Sequence, residues 1–362
     1  MRKSLIISAL SILIISCNSG GDLLEKLNDF DQGPMLENIG DNIILPSYQN
    51  LSASTLQLSE NVNSLTENRS VDALKEVRAS LKSARLNWQY CSPFQFGPAE
   101  TYAISAVLNI YPVDVNQIER NLTAGTYDLS TLSNSDARGF QTLGYFLYSS
   151  ELSDEELLAS YTDEELTYMR TVAEEIATVS SEVYTAWSVD GGNYIATFTS
   201  EEAYGVNVGS SVGKMINAMN LDFERNTRDG KIGIPAGVRS LGEPILNATE
   251  AYYAGYSVEL FEASIDAYYT LYTGGNGVGL DDYLKAIEAT TTANEDLSVK
   301  IDSQFKTIQN IQLTDPLPDQ ITTNIDPVLE VFAEMQQLIV MFKTDMASSM
   351  GVVITYQDND GD

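Results

Sequence analysis

The last third of the chain carries an apolar stripe at helical spacing. Its residues follow one another in alternating steps of four and three, and they are Ile321, Ile325, Val328, Phe332, Met335, Ile339, Phe342 and Met346. A helix with such a stripe must bury it against other helices, because an apolar face is unfavourable in water. Apolar positions within residues 245–272 and 280–308 predict two more long helices. The separating segments, TGGNGVG and TDPLPDQ, are rich in turn residues, so an antiparallel bundle is predicted here.

The first half of the chain also predicts helices. Capping boxes at residues 153–156 and 162–165 mark helix starts, and an apolar face runs from Leu166 to Trp187. The segment SVDGGNY, residues 188–194, separates the halves. A chain of 362 residues is long enough for two domains, although one large helical domain is the alternative. We therefore predict an all-α protein of two packed helical-bundle domains, residues 35–192 and 193–350, followed by an acidic tail, residues 351–362.

The N-terminus predicts export and lipidation. Residues 1–17, MRKSLIISALSILIISC, have a basic start, a short apolar run and a cysteine, as in a lipoprotein signal peptide. A transmembrane helix is the alternative, but the apolar run is too short to span a bilayer. We expect lipidated Cys17 to anchor the chain to the membrane, and residues 18–34 to form a flexible tether. Cys91 then has no disulfide partner, and we predict that it is buried.

The chain is strongly acidic and lacks one common catalytic residue. It contains 51 Asp and Glu residues, 20 Lys and Arg residues and no histidine, with a formal net charge of -31. This charge repels phosphate groups, so a nucleic-acid partner is not expected. Without histidine, Cys91 also lacks the usual base that activates a nucleophilic thiol. The excess of carboxylates is otherwise typical of solvated faces that keep an exported protein soluble.

Five segments in order resemble the imelysin family, also known as the M75 peptidases, which are exported bacterial proteins associated with iron uptake. The segments are NIILPSYQNL, ARLNWQYCSPFQFGPAE, NIYPVDVNQIE, GKIGIPAGV and EAYYAGYSVELFEASIDAYYTLYTG. Their matching positions include Arg85, Asn109, Asp114, Glu250 and Ser257. The resemblance covers residues 36 to 345 and implies the same two-bundle fold.

The resemblance also singles out GFQTLGYFLY, residues 139–148. Imelysins carry a GxHxxE motif here, whose histidine and glutamate share a helix face and could bind a metal. This chain has Gly139, then Gln141 in place of the histidine and Gly144 in place of the glutamate. An amide oxygen is a poor ligand for iron or zinc. The segment is therefore either a remodelled pocket wall, with Gln141 and Tyr145 facing a cleft, or a buried helix whose glycines allow close packing.

The other candidate ligand-binding residues lie in the family-like segments, and we place them in a cleft between the two domains. Asp114 is either a ligand-binding residue or a helix cap, and Glu250 is either a site residue or a surface carboxylate in a first helical turn. Arg138 is expected either to pair with one of these acids or to face solvent. Ser257 completes the set. Six tyrosines between residues 252 and 272 line either a pocket or the helical core.

These observations lead to a hypothesis of binding rather than catalysis. The resemblance implies an outer-membrane lipoprotein, facing the periplasm or the cell surface, that takes part in uptake of iron or an iron complex with transport components as partners. No catalytic residue is assigned, and no cofactor is certain beyond a possible iron or other cation. One alternative is a divergent M75-type metallopeptidase, which would need a metal-bound water or an equivalent base. The other is a surface docking lipoprotein without a small ligand.

Overall fold

The computed structural model describes residues 30–356, which form helices and no β-strand. An isolated antiparallel bridge joins Thr290 and Asp296. The signal peptide, Cys17, residues 18–29 of the predicted tether and residues 357–362 of the predicted tail lie outside the described range. Within that range, no helix combines the length and the apolar character needed to cross a bilayer. The prediction of an all-α fold is confirmed.

The first half of the chain contains two long helices and a third, longer one that follows several short segments. Its helices are α1 Gly33–Ile39, α2 Leu45–Glu67, α3 Val71–Cys91, α4 Pro98–Thr101, α5 Ile104–Leu108, α6 Val115–Ala124, α7 Gly139–Leu147, α8 Asp154–Ser160 and α9 Asp163–Trp187. A π-helical turn, Gly40–Ile44, joins α1 to α2, and 3-10 turns occur at Ser92–Phe94 and Leu132–Asn134. Both predicted capping boxes form, at the starts of α8 and α9.

The second half consists of shorter helices and two further π-helical segments. Its helices are α10 Tyr194–Phe198, α11 Ser211–Asp222, α12 Ser257–Thr273, α13 Leu280–Ala286, α14 Leu297–Asn310, α15 Leu317–Thr323, α16 Asp326–Val340 and α17 Ala347–Met350. The long π-helix, Phe223–Gly233, continues α11, and the π-helix Met341–Met346 joins α16 to α17. Two 3-10 turns lie at Glu201–Ala203 and Leu246–Ala248.

Helices α2, α3 and α9 form the centre of the first half. Helix α2 packs extensively against both α3 and α9, and α7 packs on α9 and α3. Trp187, at the end of α9, is completely buried among the rings of Tyr48, Phe96, Tyr194 and Phe198. Burial of such a large aromatic side chain is among the strongest single contributions to a core. The apolar face predicted from Leu166 to Trp187 is thus buried as expected.

The three long helices predicted in the second half are each interrupted. The stretch 245–272 becomes helical only at Ser257, because Ala251 and Gly255 adopt left-handed backbone angles. Residues 280–308 form two helices, α13 and α14, separated by a segment in which Glu288 and Asn294 are left-handed. The apolar stripe is broken at Asn324, which is extended before the proline-containing start of α16. Most of the stripe is nevertheless buried, including Val328, Met335 and Phe342.

The two halves share one continuous hydrophobic core, which includes residues from Met35 to Val352. Helix α3 packs against α12, where Lys82 contacts Glu259 at 2.6 Å and the Tyr90 hydroxyl donates to Asp266 at 2.9 Å. The 3-10 turn Ser92–Phe94 packs against α11. The division into domains 35–192 and 193–350 remains a prediction, since a shared core is compatible with two closely packed bundles or with one larger unit.

The end of the predicted tether belongs to the folded protein. Phe30 stacks on Tyr283 with ring centroids 4.3 Å apart, and buried Gln32 accepts from the amide of Gly205 at 2.8 Å. Asn38 in α1 donates to the carbonyls of Gly274 and Val278, both at 2.9 Å. The prediction that residues 30–34 are flexible is therefore wrong, because Phe30 and Gln32 pack against the second half of the chain.

Gly139, the first residue of α7, provides a test of how this helix is positioned. Its φ is +76°, and a Cβ there would lie 2.5 Å from the Leu108 carbonyl oxygen. We expect Gly139→Ala to lower the free energy of unfolding by about 2–5 kcal/mol, combining left-handed strain with a backbone clash.

Gly125→Ala is the matched control, because Gly125 has a φ of +65° but no atom within 4 Å of the Cβ position. It should cost only the strain of a left-handed alanine, about 1–2 kcal/mol. Urea unfolding of both variants measures the difference, and equal losses would show that the approach of α7 to Leu108 is not tight.

Candidate functional site

A cleft of about 410 Å³ lies between segments from the two halves of the chain. One wall comes from α3 and the stretch after α5, including Trp88, Asn109 and Tyr111. The opposite wall is the long π-helix, which presents Arg225 and Lys231. None of the described side chains that line the cleft is a carboxylate, although the chain as a whole has a formal net charge of -31.

The long π-helix shapes one wall of the cleft and brings it close to its neighbours. π-Helices are rare, are mostly single turns, and are frequent at functional sites. Gly230 lies in this wall, and a Cβ on it would come within 3.0 Å of the Tyr111 hydroxyl. At the end of the π-helix, a Cβ on Gly233 would lie 2.6 Å from the Phe332 ring of α16. These glycines therefore allow the π-helix to pack closely between the first half and α16.

Glu250 is the central carboxylate beneath the cleft. It is 1% exposed and forms an ion pair with Lys231, which is 5% exposed. Asn109 donates to the same carboxylate at 2.8 Å, and Gln89 donates to it at 3.1 Å. Lys231 also donates to the Gln89 side-chain oxygen at 2.7 Å. Neither carboxylate oxygen of Glu250 therefore lacks a partner.

The charge state of Glu250 follows from these contacts. Burial by itself raises the pKa of this carboxyl, but the Lys231 ammonium and the hydrogen bonds from Lys231, Asn109 and Gln89 hold it below its ordinary value of 4.5. Glu250 is consequently ionised at neutral pH. Sequence reasoning left open a first-turn or surface carboxylate, and that alternative is wrong because Glu250 is 1% exposed and lies in the non-helical segment 249–255 before α12.

Gln141 connects this carboxylate site to a buried arginine. Its amide lies 3.4 Å from the Asn109 side-chain oxygen, and its own oxygen accepts from the Ala251 backbone amide at 3.2 Å. The same oxygen accepts from Arg85 at 3.2 Å. Gln141 is 3% exposed and belongs to the network beneath the cleft without lining the cleft itself.

Arg85 is fully buried and has no carboxylate partner among residues 30–356. It donates to the Phe140 carbonyl at 2.6 Å and to the Tyr256 hydroxyl at 3.1 Å, while its Nε has no hydrogen-bond acceptor. A Cβ on Gly144 would lie 2.9 Å from Arg85 Nη2. The guanidinium therefore occupies the space beside Gly144, which explains why a glycine occurs within α7.

Asp222 is a second buried carboxylate close to the cleft. It accepts hydrogen bonds from Ser92 and Asn226, which line the cleft, and from Tyr268 in the core. Burial raises the pKa of Asp222 above its ordinary value of 3.8, and these hydrogen bonds counteract part of the effect. Three hydrogen-bond donors thus hold this carboxylate, which forms no ion pair with a described lysine or arginine, although the Lys231 charge also lowers its pKa.

The residues at the family's motif position do not fit a transition metal. The Gln141 oxygen is already engaged by Arg85 and Ala251, and the Glu250 carboxylate is neutralised by Lys231. Across residues 30–356, no group of three or more His, Cys, Asp or Glu side chains is arranged to hold a metal ion. A cation placed here would also face two buried positive side chains, Arg85 and Lys231.

Three predicted site residues lie elsewhere in the structure. Asp114 is the N-cap of α6, where it accepts from the Gln117 amide at 3.0 Å, and it also lies 3.5 Å from Arg120. Arg138 pairs with Glu175 at 3.0 Å, so neither predicted alternative for this arginine is correct. Tyr145 lies one turn along α7 from Gln141 and contacts Tyr253 in a separate concavity.

Ser257 lies beside the buried network and supports it. Its hydroxyl donates to the Glu250 carbonyl at 2.6 Å, which helps to hold the non-helical segment before α12.

Cys91 is completely buried, as predicted, and burial raises the pKa of its thiol well above the ordinary value. Four of the six clustered tyrosines are at least partly buried in α12 or at its start, whereas Tyr252 is 38% exposed.

Sequence reasoning missed several members of the network. Gln89, Lys231 and Asp222 were not assigned, and Arg85 and Asn109 were noted only as matching positions of family-like segments. The sequence did contain one indication of this network. Arg85 and Gln89 follow Leu81 at intervals of four, so the three residues share the buried face of α3. Polar residues on an otherwise buried face indicate a buried hydrogen-bond network.

Comparison with known proteins identifies relatives of this architecture. The family model described as imelysin, Peptidase_M75, matches residues 44–326. A protein of Synechococcus elongatus named iron-regulated protein A is 23% identical over 110 residues, which span 30% of this chain and 30% of that relative. The aligned segment spans less than a third of that relative's length.

Two crystal structures share the fold. A protein of Parabacteroides distasonis described as an iron-regulated protein A precursor superimposes with a TM-score of 0.69 and 18% identity, covering 91% of this chain and 95% of that chain. An imelysin-like protein of Psychrobacter arcticum superimposes with a TM-score of 0.67 and 14% identity, covering 95% of this chain and 100% of that chain.

The buried ion pair predicts a large effect of removing one charge. Lys231→Met leaves the Glu250 carboxylate buried without its cation, and we expect the free energy of unfolding to fall by about 3–5 kcal/mol. Lys306→Met is the control, because Lys306 pairs with Asp302 on the surface and the change should have little effect. Chemical denaturation of both variants measures the losses, and similar small losses would contradict a structural role for the buried pair.

The lowered pKa of Glu250 predicts a pH dependence of stability. The unfolded carboxyl takes up a proton at higher pH than the folded one, so the contribution of Glu250 is present above pH 4.5 and is lost as the pH falls through the lower folded pKa. The difference in unfolding free energy between the wild type and Glu250→Gln should therefore shrink below pH 4.5. Denaturation curves between neutral pH and acid would show this, and a constant difference would contradict it.

Proposed function

Because the chain belongs to the imelysin family, we propose that it is a non-catalytic binding protein that takes part in bacterial uptake of iron as a complex. The proposal rests on one observation above all. The carboxylates of Glu250 and Asp222 beneath the cleft are held by hydrogen-bond donors, and the Glu250 carboxylate is neutralised by Lys231. The cleft therefore offers a surface for recognition without an ionised group free to activate water.

The charge of the cleft favours an iron complex over the bare ion. A bare ferric ion is a hard cation and requires anionic oxygen ligands from the protein. No carboxylate lines the cleft among the described side chains, whereas Arg225 and Lys231 do. A ferric complex of an organic acid brings its own oxygen ligands and presents a negative outer surface. A volume of about 410 Å³ is within the range of small-molecule sites.

The similarity to proteins named iron-regulated protein A supports a role connected with iron. The sequence adds the expectation that Cys17 is lipidated and holds the protein on the outer membrane. In this proposal, the protein faces the periplasm or the cell surface and hands its ligand to transport components. Replacement of Cys17 by serine should release the exported protein from the membrane fraction.

Binding measurements test the proposed ligand class directly. We expect the purified protein to bind ferric citrate by isothermal titration, and Arg225→Glu to weaken this binding by about tenfold, or 1.4 kcal/mol, because the cleft then presents a negative charge. Arg120→Glu makes the same charge change at an exposed residue that does not line the cleft. It should leave the affinity unchanged, and both variants should show wild-type thermal unfolding.

The alternatives give different outcomes in the same experiments. Zinc- or iron-dependent hydrolysis of casein by the purified protein would contradict the proposal and favour an M75-type metallopeptidase. Absence of binding to ferric citrate, to haemin and to ferric hydroxamate would favour the alternative of a surface docking lipoprotein without a small ligand. Equal loss of binding in Arg120→Glu and Arg225→Glu would show that only the overall charge matters and that the cleft is not the site.

A further inference from the structure

A second concavity, which we call the tyrosine pocket, is lined in part by the C-terminal end of α7. It has a volume of about 650 Å³ and, among the described residues, shares no lining residue with the cleft. Six aromatic rings line it, from Tyr145, Phe146, Tyr148, Tyr161, Tyr252 and Tyr253. Part of one wall is formed by Pro316 and Pro318 beside α15. This pocket receives the tyrosine of α7 that sequence reasoning placed in the cleft.

The rings of the tyrosine pocket meet at steep angles. Tyr145 and Tyr253 have centroids 5.5 Å apart with an interplanar angle of 69°, and Tyr252 and Tyr253 have centroids 5.2 Å apart at 81°. Edge-to-face contacts leave ring faces turned in different directions. Tyr252 is 38% exposed, so this ring is accessible to a molecule in the pocket. Such a set of rings can surround a ligand group from more than one side.

The charged residues around the tyrosine pocket are acidic. Glu151, Glu165 and Asp319 line it, and among the described lining residues there is no lysine or arginine. Two guanidinium groups outside this lining act electrostatically on the Tyr148 hydroxyl, and both lower its pKa against the larger effect of burial. One is that of Arg85, and the other is that of Arg78, which lies 4.9 Å from the Tyr148 ring centroid. It is held by Asp154 at 2.8 Å and by the Leu147 carbonyl at 2.7 Å. The Asp154 carboxylate therefore balances the Arg78 charge.

The hydroxyls of Tyr145 and Tyr253 add no negative charge at neutral pH. Burial raises the pKa of Tyr253, and burial together with the Glu119 carboxylate raises the pKa of Tyr145. These two phenols therefore remain protonated, and their rings have electron-rich faces and polar edges. The pocket thus combines neutral aromatic faces with carboxylates and excludes anions by charge, in contrast to the cleft.

We propose that the tyrosine pocket binds a small organic cation that carries an alkylated ammonium group. The ammonium contacts the faces of Tyr252 and Tyr253, and the carboxylates of Glu165 and Asp319 lie on the pocket wall to balance its charge. Rings and carboxylates together recognise such a group, because the attraction of a cation to an aromatic face adds to Coulomb attraction. A neutral sugar or a purely apolar molecule would gain only the ring contacts. This site is independent of the proposed function of the cleft.

Titration with matched ligands tests the charge requirement. We expect choline and spermidine to bind the purified protein at constant ionic strength, whereas 3,3-dimethylbutan-1-ol, a neutral molecule with the shape of choline, binds at least about tenfold more weakly. Binding of the neutral alcohol as tight as that of choline would overturn the proposal. So would binding of maltose without binding of either cation, or no binding by any of these molecules.

Substitutions locate the site. Tyr252→Leu should weaken choline binding by about 3- to 30-fold, while Tyr252→Phe retains the ring and should bind like the wild type. Tyr102→Leu is the matched control, because Tyr102 has the same exposure of 38% but does not line the pocket. Asp319→Asn should also weaken binding. Thermal unfolding confirms that each variant is folded, and equal affinity in Tyr252→Leu and the wild type would overturn the assignment of the pocket.

Discussion

The buried ion pair between Lys231 and Glu250 is the interaction on which the site depends. Two opposite charges with 5% and 1% exposure must remain together, because either one alone would be an uncompensated charge in a low-dielectric interior. Lys231 comes from the long π-helix and Glu250 from the non-helical segment before α12. Gln89 of α3 and Asn109 after α5 complete the pair with hydrogen bonds. Four segments from both halves of the chain are thereby held in one arrangement beneath the cleft.

This network also gives a physical account of the altered motif in α7. With Gln141 and Gly144 in place of a histidine and a glutamate, the helix carries no ionisable side chain toward Arg85 and Asn109. Gln141 can accept from Arg85 and Ala251 while its amide faces Asn109, so one neutral group satisfies partners on three segments. Gly144 leaves the space that the Arg85 guanidinium fills. In this chain, the segment that resembles the family's motif connects a buried polar network.

The two concavities differ in the charge of their lining. Among the described residues, the cleft is lined by Arg225 and Lys231 without a carboxylate, and the tyrosine pocket is lined by rings and carboxylates without a lysine or arginine. Local charge of this kind matters in a chain with a net charge of -31, because the overall field repels anions from most of the surface. In the proposed function, Arg225 supplies the positive charge of the cleft, because the Lys231 charge is already balanced by Glu250.

The sequence by itself determined the all-α class, the helix starts at Ser153 and Thr162, the burial of Cys91 and the family. The class and the helix starts follow from local rules, since capping and periodicity act within a few turns of chain, whereas the family followed from the resemblance of five ordered segments. The interruptions at residues 251–255, 288–294 and 324 were not predicted, because left-handed and extended residues break a helix without changing its apolar period. The partners of Glu250, Arg85 and Arg138 were decided only by tertiary structure. Glu250 and Gln89 are 161 positions apart, and the contact exists only because α3 and the segment before α12 pack together around a shared core.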